Sequence, residues 1–279
     1  MVGYIDVGGG MRDVYGAGVL DYCLDNGIDF SYYIGVSAGS ANIATFLANQ
    51  KGRTLRFYRD YAKRREYMSL SNFLKTGSYV GLDYVYGELS RDGGEDALDY
   101  DCIIGRNKPF YVVTTNAASG NAEYLDFVND KRNEYNFLKA SCCIPIACKP
   151  YNIGGRLYVD GGVSDPVPFK KAFEDGCDKV IVVLTRPVEY RKKHRVSPHI
   201  FDMAMKQYPA VAKLLDSSID KYNYDLEQLL LLEKQGKALI VAPKTCCGVE
   251  TLSRKRKNIE QLYALGYKDA ERIIDFVKE

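Results

Sequence analysis

Tyr33-Ile34-Gly35-Val36-Ser37-Ala38-Gly39-Ser40 decides how this chain is read, because it joins an apolar run to a helical one through a serine bracketed by small residues. Gly35 and Gly39 stand two positions to either side of Ser37, the G-x-S-x-G spacing of a nucleophile elbow. In such an elbow the backbone leaves a strand and enters a helix almost at once, so side chains at the flanking positions would collide. Glycine removes the collision. The turn holds its serine exposed in a strained conformation, and the next helix offers N–H groups and the positive end of its dipole to an oxyanion. The pattern on either side predicts a strand over 32–36 and a helix over 38–49.

Upstream, residues 2–7 read as a short buried strand, followed by Gly8-Gly9-Gly10-Met11-Arg12-Asp13 and a helix over 14–24 that Asp13 is placed to cap. Three glycines between a strand and a helix expose backbone amides, which suits an anion. Spacing removes two common anion loops. A dinucleotide fingerprint needs glycine where Asp13 stands, and a phosphate-binding loop needs G-K-S/T where the glycines stand. An oxyanion hole serving Ser37 remains, beside the plainer reading of a flexible turn.

Downstream, residues 51–108 loosen into helices and loops rich in arginine and tyrosine. Two readings stay open: a cap over the site whose cations meet anionic head groups, and a solvated helix face. Strands are predicted over 110–115 and 123–128, and a helix over 131–140 runs into Ser141-Cys142-Cys143-Ile144-Pro145-Ile146. No histidine lies nearby to activate those cysteines, so buried, inert thiols are expected. A strand over 155–159 delivers Asp160-Gly161-Gly162 at its carboxyl end, the edge where open α/β sheets place ligands. Taken alone, Asp-Gly-Gly equally makes a tight turn. A strand over 178–185, helices over 199–234, a strand over 238–243 and a terminal helix opening at Arg254-Lys255-Arg256-Lys257 complete the chain. Such alternation predicts a three-layer α/β sandwich with a mainly parallel sheet and the elbow after the second strand. A single domain over 1–279 is expected, its core about 2–185 and a helical C-terminal part about 199–279.

The composition fits that fold. Of 279 residues 46% are apolar and 27% charged, enough for a substantial core, and a net charge of +2 is too small to argue for nucleic acid as partner. Eight cysteines with no secretory leader ahead of them and no C-x-x-C imply reduced thiols, a cytoplasmic setting and no metal site. No apolar run approaches the ~18 residues that span a bilayer. Lipid, if met, is met from the surface, and the basic segments 186–195 and 254–257 read either as solvated charge or as peripheral contacts to anionic membrane.

A serine nucleophile needs a proton acceptor. The chain has only His194 and His199, and both follow Asp160, so the order Ser, Asp, His of the α/β-hydrolases is formally present. Those enzymes build several strands before the elbow, whereas one strand precedes Tyr32 here, and both histidines lie in or beside a basic stretch. A direct Ser37–Asp160 dyad needs fewer assumptions.

Gly8-Gly9-Gly10-Met11-Arg12, Gly35-Val36-Ser37-Ala38-Gly39 and Asp160-Gly161-Gly162, in that order and at that spacing, resemble the signature blocks of the patatin-like phospholipase family, bacterial type. The likeness takes in the loop 140–150 and Ser164-Asp165-Pro166-Val167-Pro168, and covers about residues 2–185. It implies Ser37 as nucleophile, Asp160 as sole base, amides around Gly8, Gly9, Gly10 and Met11 as oxyanion hole with Arg12 at the family's basic position, and Gly35, Gly39, Gly161 and Gly162 as supports. Asp13 departs from the pattern, since glycine is common there. The expected activity is phospholipase A-like hydrolysis of lipid acyl esters through an acyl-enzyme, without cofactor or metal. Acyl transfer to another alcohol and non-catalytic acyl-chain binding are the alternatives. An aspartate at its ordinary pKa of ~3.9 is a poor base for a hydroxyl, so burial is expected to raise it.

Overall fold

The computed structural model describes residues 1–193 and 205–278. Its strands are β1 Val2–Asp6, β2 Tyr32–Val36, β3 Phe110–Asn116, β4 Ala122–Asp126, β5 Tyr151–Ile153, β6 Arg156–Asp160, β7 Lys179–Val183 and β8 Ala238–Val241. They form one sheet in the order β5-β6-β3-β2-β1-β7-β8, with β4 also on β3. Five strands, β3-β2-β1-β7-β8, run parallel, and β4, β5 and β6 add antiparallel pairings at one end.

Parallel strands lie under helices on both faces, so their residues are apolar almost without interruption. Successive side chains then go to opposite layers. Tyr4, Tyr33, Val112, Ile181 and Leu239 join one buried cluster, while Ile5, Ile34, Val113, Val182 and Ile240, their neighbours in sequence, join the other. The helices are α1 Val14–Asp25, α2 Ala38–Leu47, α3 Arg53–Arg59, α4 Leu70–Thr76, α5 Tyr100–Gly105, α6 Asn136–Ser141, α7 Phe169–Glu174, α8 Pro209–Lys234, α9 Arg256–Asp269 and α10 Arg272–Lys278. The first layer is closed by α1, α2 and α9, and the second by α7 and α8.

Four sequence expectations change. The terminal helix is two, α9 and α10, and the helix expected over 131–140 begins only at Asn136, after a turn through Tyr135 at φ 47°. Short β5 was not anticipated, because three residues, none of them buried, are too few for an alternation to register. Asp13 precedes α1 as expected but its side chain makes no capping hydrogen bond. It is drawn inward instead, against the buried carboxyl of Asp6.

Candidate active site

Pairing along β3 explains how two distant side chains meet. Val112 pairs with both Gly35 and Leu125, and Thr114 with both Glu123 and Asp160, so β2 and β6 share the edge of β3 opposite β4. They arrive there from opposite directions. Val36 lies beside Val113 and Asp160 beside Thr114, so consecutive residues of β3 bring the carboxyl ends of both strands tip to tip. Ser37 and Asp160 are the next side chains at that junction, they line the same groove, and the nearness of Ser37 favours the charged form of the Asp160 carboxyl.

The elbow has the strained form its glycines imply. Ser37 takes φ 54° and ψ −129°, a conformation rare for a residue with a side chain. A Cβ on Gly35 would stand 2.3 Å from the Ser40 Cα, and one on Gly39 2.5 Å from the Asp6 carbonyl oxygen. The Ser37 amide donates to Ser141 Oγ at 2.7 Å, and that hydroxyl donates to the Val113 carbonyl at 2.7 Å. The second serine therefore ties the turn to β3. Its position as the last residue of α6, where the small-residue loop begins, carries no periodic signal, and the sequence reading gave it no role.

Asp160 is buried, with its amide donating to the Cys143 carbonyl at 2.9 Å and its Oδ1 accepting the Gly162 amide at 2.8 Å. Burial pushes its carboxyl up to about 6; the nearness of Ser37, the bond from Gly162 and the positive charge of Lys192 pull the other way. Gly161 lies so close to β3 that a Cβ would fall 2.2 Å from the Val113 carbonyl oxygen.

The glycine loop runs alongside, and not every amide in it is open. The Gly8 amide donates to Asp6 Oδ1 at 3.1 Å and that of Met11 to the Thr251 carbonyl at 2.9 Å. These two are engaged, which corrects the expectation that amides from Gly8 through Met11 all face an oxyanion. Those of Gly9 and Gly10 have no partner among the described residues. Thr185 Oγ1 donates to the Gly8 carbonyl at 2.7 Å, and Arg12 Nη1 donates to Thr251 Oγ1 at 2.7 Å. Beneath the loop Asn42 Nδ2 donates to Asp6 Oδ2 at 3.2 Å and to the Asp13 carbonyl at 2.9 Å, so β1, the loop and α2 share one polar anchor.

Two cavities meet at Ser37. One is apolar, walled by Met11, Ala41, Phe57, Tyr58, Val85 and Tyr86, with Leu252 from the C-terminal segment. The other is a groove lined by Arg12, Arg186, Lys192 and Lys193, in which Asp160 is the only carboxylate among the described residues. Arg12 is 9% exposed and its Nε has no partner; burial, then the charge of Arg186, lowers its pKa. This side of the site is therefore electropositive. Of the two readings for 51–108, the segment does wall the apolar chamber, but its arginines serve the protein itself. Arg53 donates to the Asp96 carbonyl and Ser90 Oγ, Arg56 pairs with the Asp96 carboxylate at 2.7 Å, and Arg64 pairs with Glu95 at 2.6 Å.

His194 and His199 lie outside the described residues. All eight cysteines are free, and Cys142 and Cys143 are buried with thiols raised by desolvation and, for Cys143, chiefly by its contact with Cys148. Among the described residues no helix is long and apolar enough to cross a membrane.

A family model described as patatin-like phospholipase matches residues 7–173, and one described as a domain of unknown function (DUF6363) matches residues 208–279. The uncharacterized protein YjjU of Escherichia coli (strain K12) is 29% identical over 185 residues, which is 64% of this chain and 50% of that protein. Among solved structures, VipD from Legionella pneumophila aligns with a TM-score of 0.54 at 13% identity, over 98% of this chain and 66% of VipD, a likeness of fold. The chain thus spans half the length of the curated relative it matches.

Proposed function

Because the chain belongs to the patatin-like phospholipase family, which implies lipid acyl hydrolysis, we propose that it cleaves acyl esters of lipids with Ser37 as nucleophile and Asp160 as the only base. Ser37 Oγ attacks the ester carbonyl carbon while the Asp160 carboxylate takes the hydroxyl proton. The oxyanion that forms is held by the amides of Gly9 and Gly10, where a single donor is worth ~100 to 1,000-fold in turnover. Collapse returns the proton from Asp160 to the departing alkoxide and leaves the acyl group on Ser37. Water then enters, Asp160 takes its proton, and a second tetrahedral intermediate releases the fatty acid. The apolar chamber suits the acyl chain, and the electropositive groove suits the polar leaving part of the substrate.

One observation carries this reading. A hydroxyl on a strained turn stands beside a buried carboxylate whose pKa is raised toward neutrality, with two unengaged amides and an apolar chamber alongside. The test is labelling by a fluorophosphonate, expected at Ser37 in the folded chain, followed by hydrolysis of lipid esters. Ser37→Ala and Asp160→Asn should each lose activity by ~1,000-fold or more. Replacing His194 and His199 together should leave it in place. A dead histidine variant with Ser37 still labelled would remove Asp160 as sole base.

A further inference from the structure

Helix α4 breaks the burial pattern of the molecule. Ser69 caps it by accepting the Asn72 amide at 3.1 Å, yet none of its residues is buried. Leu70, Phe73 and Leu74 recur at i, i+3 and i+4, which places them on one face, and they are 73%, 44% and 85% exposed. Three large apolar side chains held in water on two turns of helix mark an interaction surface.

We propose that α4 is a docking helix that sets this face into the surface of an anionic lipid bilayer. Continuity with the chamber is the first argument. Met68 and Val80, which bracket the helix and are bridged to each other, both line the apolar chamber, as does Leu252, itself 40% exposed. The wall of the chamber thus reaches to within two residues of the start of α4 and four of its end. Charge is the second. Lys149 lies along Gly77 at the end of the helix, Lys75 is exposed on its last turn, and Arg254 donates to the Tyr79 hydroxyl at 2.6 Å. That arginine opens the run Arg254-Lys255-Arg256-Lys257, in which Arg256 is paired with Glu260 and Lys255 and Lys257 are exposed. An apolar stripe edged by lysine and arginine is the composition of an interfacial helix on anionic lipid. The inference rests on the hydrolase reading only in taking the chamber as the acyl site.

The experiment uses the full chain carrying Ser37→Ala, so that no substrate is consumed, sedimented with vesicles of phosphatidylcholine with or without phosphatidylglycerol. Binding is expected to the anionic vesicles, to weaken with salt, and to fall by about tenfold for each of Leu70→Ser and Leu74→Ser. The chain has no tryptophan, so Phe73→Trp is a sole reporter whose emission should shift to the blue on those vesicles. Equal binding to neutral vesicles, binding undiminished by the serine variants, or an unshifted reporter on bound protein would each overturn the proposal. So would absence of vesicle binding together with self-association that Leu74→Ser abolishes, since the patch would then be covered by a second copy. Soluble esters still cleaved in that event by the chain with Ser37 intact would leave the hydrolase standing. Vesicle binding with the Ser37 chain inert to every ester would instead remove the hydrolase and leave the docking helix.

Discussion

A carboxylate can serve as base for a serine hydroxyl only if its proton affinity is brought toward that of the solvent at working pH. Burial does this at Asp160, raising its pKa to about 6. With Asp160 as the base proposed above, kcat/KM should rise with pH along a limb centred near that value, well above the ~3.9 of a free aspartate. Lys192 favours the carboxylate by its charge, so Lys192→Gln should move the limb to higher pH; stopped assays from pH 4.5 to 8.5 check both position and direction. The shift also separates Asp160 from Asp6, which burial likewise raises to about 6 but against which bonds from Asp13, Gly8 and Asn42 pull. Asp6 and Asp13 pose a different problem. Asp13 carries no N–H or O–H partner from elsewhere among the described residues, and its pKa is raised far above the ordinary range by burial and by the charge of Asp6. A proton kept on Asp13 makes their contact a hydrogen bond. A folded-state pKa raised in an acid means that the folded chain holds a proton the unfolded chain releases, so stability falls as pH rises from ~4 toward the folded value. Asp13→Asn removes that titration. The melting temperature of the variant relative to the native chain should therefore climb between pH 4 and pH 8, and a flat difference would show that the pair carries no proton.

At the scale of elements the contact that ties the two ends of the chain together is α1 on α9. Gly18 and Gly266 let the backbones touch, since a Cβ on the first would fall 2.2 Å from the Tyr263 carbonyl oxygen and one on the second 2.0 Å from that of Tyr15. Tyrosine-to-aspartate bonds flank the crossing: Tyr15 to Asp269 at 2.9 Å, and Tyr263 to Asp21 at 2.7 Å. Gly266→Ala forces the helices apart and should cost about 1–3 kcal/mol. We propose further that the chain unfolds as one unit, because β8 belongs to the same sheet as β1 and Thr251 holds the Met11 amide. Urea unfolding of the variant should then show one transition at lower midpoint with unchanged slope. Two transitions would separate the C-terminal segment from the rest. Elements of this kind were partly legible in the sequence. Strands buried on both faces announce themselves as apolar runs, and half of the elbow is local, since Gly35 is forced by Ser40 five residues on, whereas Gly39 is forced by Asp6 of another strand. Thr251 gave no such sign, because its meaning lies in a carbonyl reaching an amide 240 positions away (251 − 11). Asp13 misled for the same reason: the helix start is local information, whereas the pull of Asp6 comes from another element.

On the scale of the whole molecule, the chamber beside Ser37 is assembled from segments that no local pattern connects. Met11 comes from the glycine loop, Ala41 and Thr45 from α2, Phe57 from α3, Val85 from a π-helical segment over Asp83–Glu88, Cys142 from the loop after α6 and Leu252 from beyond β8. Ser37, Ala41 and Thr45 recur every four residues, so the chamber follows one face of α2 for ~12 Å from the nucleophile, at 1.5 Å of rise per residue. An acyl chain lying there would pass Ala41 only after its first few carbons. Ala41→Leu adds bulk across that path while leaving the mouth at Ser37 open. Short and long esters should consequently part company: kcat/KM for a palmitoyl ester should fall by about tenfold relative to that for an acetyl ester of the same alcohol, the order of one or two obstructed methylenes in an apolar pocket. Competition between the two esters in one reaction measures that ratio directly. A ratio unmoved by the added methyl groups would place the acyl chain elsewhere, along the groove of Arg12 and Arg186, whose walls also carry Ile144, Leu215 and Ile219.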